Sequence, residues 1–406
     1  MLDLLIHGGD VIDGTDRPRR KADVGIKDGA IVVVGDTDEP AQRTIDADGR
    51  VVTPGFVDVH THLDAQAFWD RNLSPSPLHG VTSAVAGNCG FTIAPLSEEA
   101  GRYLMPMLAK VEGMPLQSLR DGVPWDWSTT AEYLDRLDGE LSINVGFMVG
   151  HSAIRRVVMG EAANERTATD DELARMTQLL RDGLEAGGLG FSTTTSATHN
   201  DAAGSPVPSR FADRREFIEF ARVTGEYEGT CLELLPRGAT DLGPFDEETA
   251  ELMIEMSVIA QRPLNWNVIS PTAKNLDSIR AKLEVGDRAA ARGGKVVGLT
   301  MPVDMKARFS FHAGFVLDVF DGWAAVMNAS LEEKLRVLSD RGQRRVLAEL
   351  AAATPNMHHM AQWDRHVIVE TFSPVNAAFV GRSVTSRPNR ARTRSTRWST
   401  SPSTTT

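Results

Sequence analysis

Two histidines one residue apart, His60 and His62, follow the apolar run Val57-Asp58-Val59, and Cys89 follows a second apolar run, Val81 to Gly87. Alternate residues of an extended strand point to the same side, so His-Thr-His turns two imidazoles one way, close enough to share a cation. A thiolate beside two imidazoles suits zinc, whose usual protein ligands are His, Cys and carboxylate. A His-x-His pair alone reads as readily as two ordinary polar residues, and a cysteine as a small buried hydrophobe. With Asp58, Asp64 and Cys89 all close in sequence, the metal reading prevails: a pincer at the end of one buried strand and a thiolate at the end of the next.

The elements that must position these groups alternate between strand and helix from Thr53-Pro54-Gly55-Phe56 onward. Apolar, β-rich runs predict strands over 56–62, 81–87, 143–149, 188–192, 230–235, 264–269 and 295–300. Between them lie predicted helices over 96–110, 129–138, 169–186, 213–228, 246–261 and 275–292. The helix over 169–186 is amphipathic through Leu173, Met176, Leu179, Leu180 and Leu184, with Thr169 and Glu172 spaced as a capping box. Such alternation over some 250 residues predicts an α/β fold, a (β/α)8 TIM-like barrel, with catalytic groups where strands end.

Residues 1–53 differ. Short apolar runs separated by Asp13-Gly14, Asp28-Gly29 and Asp48-Gly49 carry hairpin signals and predict a small N-terminal β-sandwich module ahead of the barrel domain, 54–381. Leu331 to Leu350 reads as one charged amphipathic helix, and Asp364 to Phe372 as a short strand. From Arg382 to Thr406, 13 of 25 residues are Ser or Thr and six are Arg, a composition that cannot bury enough surface to offset its ordering entropy. A disordered tail is expected there, and a slip of reading frame near residue 382 would produce one.

The 406 residues carry a net charge of −12 although the tail is basic, so the body is more acidic still, which argues against nucleic acid as a partner. No run of 18 apolar residues exists, so no membrane partner is expected. The start, Met1-Leu2-Asp3-Leu4-Leu5, lacks a basic region of the secretory kind. Two cysteines, Cys89 and Cys231, make no disulfide framework and fit a reducing, cytoplasmic setting. Oligomeric state is open.

Val51-Val52-Thr53-Pro54-Gly55-Phe56-Val57-Asp58-Val59-His60-Thr61-His62 resembles the entry of the amidohydrolase superfamily into its barrel. His79-Gly80-Val81-Thr82, Gly87-Asn88-Cys89-Gly90-Phe91, Val149-Gly150-His151-Ser152-Ala153-Ile154-Arg155 and Gly188-Leu189-Gly190-Phe191-Ser192 narrow the resemblance to its N-acyl-D-amino-acid deacylase (D-aminoacylase) branch. The resemblance implies a zinc-dependent hydrolase of the linear C–N amide in small-molecule N-acyl amino acids, with one or two zinc ions. It implies His60, His62 and Cys89 as metal ligands, and His151 and Arg155 near the substrate, a buried structural role for His151 being the alternative. Arg155 and Arg237 are the arginines expected to meet a substrate carboxylate.

The departures from that pattern are specific. The family's histidines at the ends of the fifth and sixth strands are missing: Gly229 to Arg237 contains none, and Asn267 stands where the second is expected. Glu233 is then a further candidate oxygen ligand, and Asn267 a substrate-binding group. No counterpart of the family's general-base Asp on the eighth strand is found in residues 300–406, so the catalytic base is unassigned and the barrel is expected to be incomplete at its last strands. These losses put the activity of this chain in doubt and keep two alternatives open: a non-catalytic ligand-binding homologue, and a cyclic-amide hydrolase.

Overall fold

The structure, a computed structural model, describes residues 1–273, 275–301, 310–311, 314, 316–354, 358–371, 374 and 380–381. It divides into two compact units, Met1–Asp58 with Ser74–Ala84, and Val59–Leu73 with Val85–Thr406.

The first unit is built on a five-stranded mixed sheet of β1 (Leu2–Val11), β2 (Arg20–Lys27), β3 (Ala30–Gly35), β4 (Ala41–Asp46) and β5 (Val51–Val52). Asp28-Gly29 forms the turn between antiparallel β2 and β3, with φ of 50° and 75°. That mirror-image turn matches the twist of the strands it joins. Beside β2, β1 takes β4 and β5 as parallel partners, a crossover that turn signals do not reveal. Residues 1–52 thus supply one sheet, not the two layers of a sandwich. β6 (Phe56–Asp58) pairs in parallel with β7 (Val81–Ala86). β6 is shorter than the expected strand over 56–62 and stops two residues before His60.

The second unit holds β8 (Asn144–Phe147), β9 (Val149–Gly150), β10 (Gly190–Thr194), β11 (Cys231–Leu235), β12 (Pro263–Ile269) and β13 (Lys295–Thr300). β9 to β13 form a parallel sheet in sequence order, each successive pair joined through a helix: Asp170–Glu185, Arg214–Gly225, Glu247–Ala260 and Leu276–Ala290. Among the described residues β13 has a single strand neighbour, β12. Side chains on one face of the sheet, Phe191, Leu232, Leu234, Leu264 and Trp266, pack with Phe217, Phe220, Met253 and Ile254 of the helices in one core. That burial commits alternate strand residues to the helix layer, so Ser192 and Glu233, register partners between them, face the opposite way. Residues that could do chemistry are on that face.

The capping box on Asp170–Glu185 forms as expected: the Glu172 N–H donates to Thr169 Oγ1 at 3.3 Å and the Thr169 N–H to Glu172 Oε2 at 2.8 Å. The helix expected over 331–350 is instead two, Leu331–Ser339 and Arg341–Ala353. Asp340 divides them, its carboxylate accepting from the Gln343 N–H at 2.8 Å as the cap of the second. In the stretch expected as a strand over 364–372, Trp363–Arg365 is a 3-10 turn and residue 372 lies outside the described residues. So does the tail, 382–406, and no described helix is long and apolar enough to cross a membrane.

Candidate metal centre

Cys89 sits in a turn that its neighbours fix from three sides. Gly87, Cys89 and Gly90 all have positive φ, 79°, 57° and 73°. A side chain on Gly87 would come within 2.8 Å of the Met148 carbonyl oxygen, so conformation and space both demand glycine. Cys89 takes the left-handed conformation despite its side chain, at a cost of order 1–3 kcal/mol that surrounding contacts must offset. Its N–H donates to Glu233 Oε2 at 2.7 Å. The Gly90 N–H donates to Ser192 Oγ at 3.0 Å, and the Ser192 hydroxyl donates to the Gly87 carbonyl. The Asn88 amide donates to the carbonyls of Thr61, at 3.1 Å, and Val85, at 3.0 Å, tying the cysteine turn to the histidine segment.

That segment has left the regular strand, yet the Thr61 N–H still donates to the Val85 carbonyl at 2.9 Å. Alternation therefore persists and both imidazoles point toward Cys89. Ligand atoms of His60, His62 and Cys89 all lie within 4.8 Å of one another. His60 Nε2 is 3.6 Å from Cys89 Sγ, and the two imidazole rings are 5.4 Å apart, edge to face. A carboxylate lies near each ring: Glu233 Oε1 is 3.8 Å from His60 Nδ1, and Glu112 Oε1 is 3.5 Å from His62 Nδ1. Carboxylates that hydrogen-bond metal-binding histidines fix their orientation and raise their basicity; here the two pairs stand at ion-pair rather than hydrogen-bond distance.

Asn267, on β12, joins the group. Its amide is best satisfied with the nitrogen donating to Glu233 Oε1 at 2.7 Å and to the Leu234 carbonyl at 3.1 Å; this orientation is assigned from the hydrogen-bond network. The amide oxygen then occupies the place 3.5 Å from His60 Nε2 and 3.7 Å from Cys89 Sγ. An oxygen donor thus faces the trio where the sequence offered only a hydrogen-bonding group.

Burial governs the charges. It pushes His60 down to about 4 and His62 well below its usual range, and pushes Glu233 and Glu112 up to about 8. The Cys89 thiol is also raised, by burial and then by the Glu233 charge. Left to themselves, then, imidazoles, thiol and carboxyls all favour their neutral forms. A divalent cation fits this set: it takes neutral imidazoles as they stand and supplies the charge that lets thiol and carboxyl ionise.

The other expected site residues are placed elsewhere. His151 and Arg155, expected near the substrate, are both 0% exposed. His151 Nε2 lies 2.6 Å from Glu216 Oε1 and its Nδ1 2.8 Å from Thr193 Oγ1, while Arg155 bonds both oxygens of Glu216, at 2.7 and 2.5 Å. Arg237 is 54% exposed, its guanidinium between Asp246 at 3.2 Å and Glu248 at 3.0 Å. Glu112 was not foreseen. It belongs to no motif, and only the fold brings it to His62.

Residues 43–403 match the amidohydrolase family. The chain belongs to that family. It is 36% identical over 229 residues to the D-aminoacylase of Alcaligenes xylosoxydans xylosoxydans, a match covering 56% of this chain and 43% of that one. With the N-acyl-D-glutamate deacylase of the same organism it is 32% identical over 292 residues, 69% of this chain and 54% of the other. Among solved structures, N-acyl-D-glutamate deacylase from Bordetella bronchiseptica, complexed with zinc and a phosphonate mimic of the tetrahedral intermediate, superposes with a TM-score of 0.60 at 29% identity, over 74% of this chain and 59% of that one. The chain thus spans about half the length of the curated relatives it matches. In this amidohydrolase, Glu233 and Asn267 stand on β11 and β12 where the family resemblance led us to expect histidines.

If Glu112 orients His62, Glu112→Gln will weaken zinc binding by roughly 10–100-fold, with little change in the unfolding midpoint of the metal-free protein. Competition against a chromogenic chelator measures the first and thermal unfolding the second. Unchanged zinc affinity would count against the orienting role.

Proposed function

We propose that this amidohydrolase is a zinc-dependent hydrolase of the linear amide in N-acyl-D-amino acids. The observation that carries the reading is the donor set of half-buried His60 and His62 with buried Cys89, within 4.8 Å of one another, in a family with a deacylase solved with zinc and a tetrahedral mimic. His60, His62 and Cys89 would hold the ion, Asn267 would offer its amide oxygen, and Glu233 and Glu112 would orient the imidazoles. A zinc ion there supplies Lewis acidity, which polarises an acyl carbonyl and acidifies water. Glu233 also anchors the Cys89 main chain, so it fixes the thiolate as well as His60. Arg237, which follows β11, is our candidate for the substrate carboxylate, in exchange for Asp246 and Glu248.

We read the fold as a (β/α)8 barrel, of which β9 to β13 form a parallel run among the described residues, with a small β module over 1–53 and the barrel over 54–381, in a reducing cytoplasm. The replacement of two expected histidines by Glu233 and Asn267 favours a second reading, a homologue that binds N-acyl amino acids without turning them over.

The deciding experiment is elemental analysis of the purified protein together with turnover of N-acetyl-D-glutamate, N-acetyl-D-methionine and a hydantoin. Zinc at one or two equivalents with release of free D-amino acid is the expected result. Binding of the acyl amino acids by calorimetry with no metal would establish the second reading, and hydantoin opening alone would move the substrate to cyclic amides.

A further inference from the structure

The loop after β10 is built around a histidine to which the proposed function gives no task. His199 is 7% exposed, and among the described residues its Nδ1 has no hydrogen-bond partner. The ring lies against Phe91, centroids 4.7 Å apart, and Phe91 lies 6.3 Å from the His62 ring. A proton on His199 opposes protons on His60 and on His62, so the three rings feel one another. His199 is nevertheless outside the donor set. It stands beside the candidate metal centre without belonging to it.

The loop holds that ring in place from behind. Asp201 accepts from the N–H groups of Ala203 at 2.9 Å and Ser205 at 3.0 Å, and from the Tyr103 hydroxyl at 3.1 Å. The Arg210 guanidinium donates to the His199 carbonyl at 3.2 Å and to Asn200 Oδ1 at 2.8 Å. All of these tethers engage the main chain or neighbouring side chains. They would serve equally well around an apolar residue at position 199, so they do not account for a histidine. Burying a ring nitrogen without a partner costs stability, and such a cost is characteristic of functional sites. Arg210 adds a positive charge close enough to act on the ring, which favours an anion beside it.

We propose that His199 contacts the substrate, its ring N–H donating to the α-carboxylate of the N-acyl amino acid whose amide lies at the His60–His62–Cys89 centre. Burial keeps the ring neutral, pushing it down to about 3, and a neutral imidazole offers one N–H and one lone pair. The inference rests on the deacylase reading. It goes beyond that reading by adding His199 to Arg237 as a second group on the free carboxylate, one that contributes to the preference for acids over their amides.

The test compares His199→Leu and His199→Asn with wild type for zinc content, thermal unfolding, and kcat/KM on N-acetyl-D-methionine and N-acetyl-D-methioninamide. His199→Leu should keep its zinc and unfold at or above the wild-type temperature. It should lose roughly 10–100-fold in kcat/KM for the acid, mostly through KM, as expected for one hydrogen bond to a charged group, with little change for the amide. His199→Asn, whose side-chain amide reaches about as far as Nδ1, should recover part of the loss. Loss of zinc or a lower unfolding temperature in His199→Leu overturns the proposal in favour of a ligand or structural role, and so does unchanged discrimination between acid and amide in an active enzyme. If wild type turns over neither compound, the deacylase reading falls and this inference falls with it.

Discussion

Cys89→Ala is expected to reduce bound zinc to trace levels and to abolish amide hydrolysis with it. Among the three clustered donors the thiolate alone brings negative charge, and its position is the most heavily determined: left-handed backbone, a glycine on either side of Asn88-Cys89, and an N–H fixed on Glu233 at 2.7 Å. Removing a supporting residue of a metal site costs roughly 10–100-fold in affinity, and removing a ligand should cost more. The fold should survive, because alanine keeps the apolar character of a side chain that is 3% exposed. Cys231→Ala is the control: Cys231 lies on β11 with its sulfur near Met148 Sδ at 4.0 Å, and its loss should leave zinc content unchanged. Equilibrium dialysis followed by elemental analysis measures both. If Cys89→Ala retained stoichiometric zinc, the trio would not be the metal site.

The parts of this centre that were legible in the sequence are those set by local geometry. Alternation along an extended chain is a two-residue property, so His60 and His62 could be paired from spacing alone, even though the strand proper ends at Asp58. The Gly87-Asn88-Cys89-Gly90 turn announces itself through its glycines, and the helix caps through Thr169 and Glu172. What spacing cannot show is a partner brought from afar. Glu112 reaches His62 from the end of a helix, and Glu216 reaches Arg155 across 61 residues. Spacing offered Arg155 no protein partner, whereas the fold pairs it with the Glu216 carboxylate. Turn chemistry marked where the N-terminal strands end but not that β1 lies between β2 and β4, because pairing depends on which faces must be buried. His199 carried no spacing signal. Its position at the C-terminal end of a parallel strand, where such folds place their chemistry, was the available clue.

Glu216→Ala should destabilise the protein by about 3–5 kcal/mol, the penalty of leaving a buried charge without its partner. Arg155 is fully buried; besides Glu216 it meets the carbonyls of Arg166, at 2.8 Å, and Ala163, at 3.3 Å, neither of which carries a compensating charge. The same carboxylate sets the tautomer of His151: Nε2–H donates to Glu216 and Nδ1 accepts from the Thr193 hydroxyl. Burial lowers the His151 pKa below its ordinary 6.5 despite that bond. For Glu216, burial acts upward, but His151 and Arg155 outweigh it and leave the carboxyl below its ordinary 4.5. Both groups therefore bind protons more readily in the unfolded chain, so stability rises with pH over their range. Their contribution is complete above pH 6.5; it declines below that value through His151 and again below 4.5 through Glu216. Urea unfolding at pH 7.5 and pH 5 should show Glu216→Ala weaker than wild type at both values. Combining Glu216→Ala with Arg155→Met, which removes the stranded cation, should recover part of the loss. A penalty under about 1 kcal/mol, the scale of an exposed ion pair, would mean that the network is not the buried support described here.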